Sequence, residues 1–89
     1  MNRPEAYRII CAALEQWRVL GFDALLPRVG TTTSEEITAP SGVRYTVDIG
    51  ITWSDAQRQA LVIRGRIDDQ NTLHFAPLEE QIQIKKTNS

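Results

Sequence analysis

Residues 43–53 read Val-Arg-Tyr-Thr-Val-Asp-Ile-Gly-Ile-Thr-Trp, with an apolar side chain at every odd position and a polar or small residue at every even one. Successive side chains on an extended strand point to opposite faces, so alternation over this length defines a strand with one buried side and one open side. The inward set is Val43, Tyr45, Val47, Ile49, Ile51 and Trp53. The outward set is Arg44, Thr46, Asp48, Gly50 and Thr52.

Upstream, Ala39-Pro40-Ser41-Gly42 is a turn with its mechanism visible: Pro presets φ at the second position and Gly closes the fourth. Before it, Thr31–Ala39 is rich in β-branched residues yet polar, which suits an edge strand. Downstream, Ser54–Arg58 makes a loop and a third strand runs from about Gln59 to Asp68. Leu61, Ile63 and Ile67 share one parity there, and Gly65 interrupts them where a helix side chain is expected to come close. Asp68-Asp69-Gln70-Asn71 reads as a second turn. Leu73 and Phe75 then face inward with His74 outward, and Pro77 breaks or bulges that stretch. Ile82 and Ile84 alternate with Gln81 and Gln83 in a short last strand, a helix over 78–84 being the alternative. Residues 85–89 read as a flexible tail.

The N-terminal segment has the other period. Ala6, Ile10, Ala13, Leu14, Trp17 and Leu20 fall on one stripe at steps of three and four, which predicts a helix from about Pro4 to Leu20. Pro4 in the first turn and Glu5 at the positive end of the dipole suit its start. Gly21 suits a left-handed ending that packs Trp17 against Phe22. In the connection that follows, Asp23 is the expected cap of a short turn carrying Ala24, Leu25 and Leu26, with its leucines folded under the helix.

Together these elements predict an α+β fold of two layers. The amphipathic N-terminal helix packs on one face of a mostly antiparallel sheet of 4–5 strands, connected as an α-β-β-β-β(-β) meander. The 89 residues are expected to form a single domain, 1–89. Hydrophobic content of 42% and charged content of 24% are ordinary for a globular chain. Ten basic against 11 acidic side chains provide no global field for nucleic acid or an anionic membrane. Cys11 is the only cysteine, so an internal disulfide and a thiolate metal cage are excluded. No apolar run spans a bilayer and no secretory signal is visible, so a cytoplasmic location is expected.

A search for chemistry finds little. The chain has no Gly-rich phosphate loop, no G-x-S-x-G elbow and no H-E-x-x-H helix. His74 reads as a surface side chain, and Cys11 as an incidental, half-exposed one off the apolar stripe, between Arg8 and Glu15. The pairs Glu35–Glu36, Asp68–Asp69 and Glu79–Glu80 are consecutive, so on a strand each splits between two faces and cannot clamp a metal as a unit. Asp68–Asn71 lacks the spacing, central Gly and distal Glu of a calcium loop. No enzyme activity, metal or cofactor is expected.

What remains is the side of the sheet that one helix cannot cover. It is expected to display Arg44, Thr46, Asp48 and Thr52, then Ala60, Val62, Arg64 and Arg66, then His74 and Ala76. Arginines pair bidentately and stack well, so Arg44, Arg64, Arg66 and His74 are the candidate partner contacts. The structural alternative is that the arginines form cross-strand pairs with Asp48 and Asp68. Single-strand readers of RNA put aromatics outward, whereas Tyr45, Trp53 and Phe75 carry the inward parity. Trp53 either caps the core or protrudes as an anchor, and capping is the simpler assignment. The expected function is a small protein-binding module of inhibitor, immunity or adaptor type, its partner another protein or a second copy of the chain. Nucleic-acid binding through the same arginines is the alternative, and an enzyme or redox role through Cys11 or His74 ranks third.

Overall fold

A computed structural model describes residues 3–69 and 77–86 of the chain. Helix α1 spans Arg3–Arg18, a short α2 spans Phe22–Leu25, and a 3-10 turn follows over Leu26–Arg28. The strands are β1 (Thr32–Thr38), β2 (Arg44–Trp53), β3 (Ala60–Asp69) and β4 (Leu78–Lys85). They form one open sheet in the order β1-β2-β3-β4, every neighbour antiparallel. The fold class is as the alternation predicts: α+β, with one helix on one face of a meander.

Parity decides the layers. Tyr45, Val47, Ile49 and Ile51 of β2 are buried, as are Leu61, Ile63 and Ile67 of β3. Opposite them, α1 buries Ala6, Ile10 and Leu14, one residue from each successive turn. Each large apolar side chain removed from water here stabilises the fold by about 1.5–3 kcal/mol before entropy is charged against it. Gly65 completes the pattern. A Cβ placed on it would lie 2.9 Å from Ile10 Cγ1 and 3.3 Å from Leu14 Cδ2, so the missing side chain is where the helix sits down on the sheet.

The predicted turn at 39–42 forms: Gly42 N–H donates to the Ala39 carbonyl at 2.8 Å and Gly42 adopts φ 90°. That turn is tied to α1. Ser41 Oγ donates to Glu5 Oε1 at 2.6 Å, and the buried Tyr45 hydroxyl donates to the same oxygen at 3.0 Å. Glu5 therefore serves the helix dipole and anchors β2 at once.

Several local expectations change. Helix α1 stops at Arg18 with i→i−3 bonds from Leu20 to Trp17 and from Gly21 to Arg18. Gly21 does take the positive φ that favours glycine, at 85°, but its ψ of 166° is not that of a left-handed helical ending, and Phe22 turns its ring to Trp53 at 6.1 Å. Leu20 is half exposed, since the stripe ends with the helix. Asp23 does not cap α2, which starts from Gly21 with no side-chain cap. Leu25 folds under fully, whereas Leu26 stays exposed. Asp68 and Asp69 belong to β3 rather than to a turn, with Asp69 buried on the inward side. The last strand forms as expected, not the alternative helix, but it is longer, spanning Leu78–Lys85, so that Lys85 ends it instead of opening a tail. Lys86 is bound as well, its N–H donating to the Gln59 carbonyl at 2.8 Å. The expected strand through Leu73 and Phe75 lies outside the described residues. No helix among the described residues is long and apolar enough to cross a membrane.

Candidate functional site

No described element packs on the face of the sheet opposite α1, and the strand register orders its side chains into rows. One row runs Ser34, Asp48, Arg66, Glu79 across all the strands. The next runs Thr32, Gly50, Arg64, Gln81, and a third Thr52, Val62, Gln83. Arg64 and Arg66 are thus adjacent along β3 on the outer face, both exposed. Between them and β1, Gly50 contributes no side chain. The result is an open depression of about 620 Å³, lined by Thr32, Asp48, Arg64, Arg66, Glu79 and Gln81 around that glycine.

Gly50 is not forced on the fold. A Cβ there would meet Thr32 Oγ1 at 3.4 Å, an ordinary contact, so its absence serves the shape of the depression rather than the packing of the sheet. This differs from Gly65, which the core requires.

The electrostatics are mixed. In register, Arg66 faces Asp48 on one side and Glu79 on the other. Yet neither Arg64 nor Arg66 comes within ion-pair distance of a described carboxylate; among the described residues the ion pair seen is Arg18–Glu15 at 3.4 Å on the helix surface. Asp48 instead accepts a hydrogen bond from Ser34 Oγ. The alternative of cross-strand ion pairs from these arginines to Asp48 and Asp68 is not seen among the described residues, and two guanidinium groups remain available to an outside acceptor. Elsewhere on the face, Arg44 stands opposite Thr38, Glu36 and Asp68 flank Thr46 in the next outward row, and Lys85 lies at the far end opposite Ala60, so acids and bases are interspersed there without facing one another.

Of the residues singled out from the sequence, Arg64 and Arg66 come together. Arg44 shares their face but stands opposite Thr38, four residues from Asp48 along β2 and so about 13 Å from the depression. His74 lies outside the described residues. Ala60, expected on the open face, is buried at the base of the 54–59 loop, where Ser54 N–H donates to its carbonyl. The place given to His74 and Ala76 beside β3 belongs to Glu79, Gln81 and Gln83. Their signal was present in the alternation of Leu78, Glu80, Ile82 and Ile84 with Glu79, Gln81, Gln83 and Lys85.

No family model, curated protein or solved structure matches this chain. The site is therefore read from its own residues.

The remaining candidates are plain in their geometry. Cys11 is half-buried and packs against the core, nearer the apolar side of α1 than its sequence position suggested. Tyr7 lies one turn earlier on the helix, and hydrogen bonding and charge interaction with Cys11, followed by the charge of Glu80, push its phenol above its usual pKa. Trp53 caps the core, half-buried, with the Arg58 guanidinium 5.7 Å over its ring. Arg28 covers Trp17 in the same way at 5.1 Å. Among the described residues no three His, Cys, Asp or Glu side chains are grouped to hold a metal ion.

Proposed function

We propose that this chain is a small, non-catalytic protein-binding module of the inhibitor, immunity or adaptor type, which covers its partner with the outer face of the sheet. One observation carries the proposal: Arg64 and Arg66, exposed and without an ion pair to any described carboxylate, border a depression floored by Gly50. Arginine so placed offers planar, bidentate donors that a partner can pair without first breaking an internal salt bridge. The face measures about 20 Å by 30 Å from strand spacing and length, close to one side of a standard protein interface.

The interleaved acids favour protein over nucleic acid. A polyphosphate chain would have to pass Asp48, Glu79, Asp68 and Glu36 on the same surface, and Tyr45 is turned inward, unable to stack a base.

The test is affinity capture from the native cell with mass spectrometry, run in parallel on the wild type, on Arg64→Glu/Arg66→Glu and on Gly50→Trp. The expected result is a partner retained by the wild type and lost from both variants, with unchanged circular dichroism. A capture profile that is the same for all would overturn the proposal. So would retention of low-salt nucleic-acid probes that depends on Arg64 and Arg66.

A further inference from the structure

The sheet is open at both edges, and the edges are not equivalent. In an antiparallel ladder, hydrogen-bonded pairs recur at every second residue. The bond from Lys86 N–H to the Gln59 carbonyl therefore sets the phase of the whole β3–β4 ladder. Ile84, Ile82 and Glu80 direct their backbone groups to β3; Glu79, Gln81, Gln83 and Lys85 direct theirs away, to the free side of β4. Among the described residues no strand pairs with that side.

From this edge we infer that the protein forms a two-fold symmetric dimer in which β4 pairs antiparallel with β4 of a second copy, making one continuous eight-stranded sheet. The inference is independent of the function proposed for the outer face. Two symmetric registers overlap all but one residue of each eight-residue strand. One centres on Gln81 and sets Glu79 against Gln83 of the second copy. The other centres on Ile82 and sets Glu79 against Lys85 twice, Gln81 against Gln83 twice, and Ile82 against itself. The second places opposite charges across from each other at both ends and is the register proposed.

Two further features agree with it. Helix α1 packs on β3 and β4. If its axis runs over the line between those strands, the dyad brings the two copies of α1 to two strand spacings, about 10 Å, which is the usual distance between packed helices. Tyr7, half exposed and close enough to Glu80 to feel its charge, lies on the β4 side of α1 and would be covered there. The other edge carries a device against the same pairing. On β1, the symmetric registers centred on Glu35 or Glu36 bring a carboxylate directly against its own copy.

The experiment is sedimentation velocity and equilibrium on the full chain. The wild type is expected to dimerise in a concentration-dependent way. Gln83→Pro removes an N–H that points away from β3, so it should leave the monomer folded by circular dichroism and abolish the dimer. Glu79→Lys alone should weaken dimerisation by about tenfold, and adding Lys85→Glu should restore it. Arg64→Glu/Arg66→Glu should dimerise as the wild type does, which separates this edge from the outer face. A wild type that is monomeric at all concentrations overturns the inference, as does a dimer indifferent to a folded Gln83→Pro. If Gln83→Pro does not fold, the charge exchange decides, and failure of the double variant to recover the wild-type constant counts against the proposed register and edge.

Discussion

Ile10 and Gly65 occupy one another's space: Ile10 is fully buried, and its Cγ1 and Cδ1 atoms stand where a side chain on Gly65 would begin, at 2.9 and 3.0 Å. The contact sets how close α1 comes to β3. Gly65→Ala is expected to destabilise the protein by about 1–3 kcal/mol despite the better strand propensity of alanine, because the overlap falls on a packed side chain and not on a free end. Shortening Ile10 to Val in the same chain should recover part of the loss. Urea unfolding of both variants measures it; a Gly65→Ala protein as stable as the wild type would place the helix farther from the sheet.

The two glycines of neighbouring strands should behave in opposite ways. Gly50→Ala points its methyl into the depression and meets Thr32 only at ordinary contact distance. Its stability should equal the wild type or exceed it by about 0.5–1 kcal/mol, the usual gain over glycine inside a strand. Thermal melting distinguishes this from a loss comparable to Gly65→Ala.

Arg64 and Arg66 are exposed and hold no ion pair with a described carboxylate, so they contribute little to folding. Arg64→Glu/Arg66→Glu is expected to shift unfolding free energy by within about 1 kcal/mol, near the range of ordinary surface substitutions. A larger loss in chemical denaturation would mean that Asp48 or Glu79 is paired with them in solution.

The Tyr45 hydroxyl reaches Glu5 from the start of β2. Tyr45→Phe should cost about 0.5–1.5 kcal/mol. A double-mutant cycle with Glu5→Gln should return a coupling of similar size, whereas additive losses would show that the two groups act separately.

Tyr7 ionises above the usual phenol range, chiefly through its interaction with Cys11 and then through the charge of Glu80. A folded-state pKa raised above the unfolded value means that the neutral phenol is favoured in the native protein. That contribution is complete below about pH 10 and is lost as pH climbs through the folded pKa. Ultraviolet titration of the wild type against Tyr7→Phe isolates the transition, and Cys11→Ala should bring it back down toward the ordinary value.

The period-two pattern of β2 and β3 and the 3.6-residue pattern of α1 were sufficient to assign the layers, the inward parity and the reason for Gly65. These are properties of a single segment: burial on one side writes itself directly into which residues are apolar. The fourth strand shows where that ends. Leu73 and Phe75 have the same alternation as Ile82 and Ile84, and nothing local tells which pair of residues lies beside β3. The neighbour of Arg64 is chosen by β3–β4 register, a relation between segments about 17 residues apart, and it places Gln81 there, with Glu79 beside Arg66. Only the tertiary structure also decided that Asp48 is bonded by Ser34 rather than by Arg66, and that Gly50 opens a depression. Side-chain patterns record contact with water or core, whereas the composition of a surface depends on which strands meet and in what register.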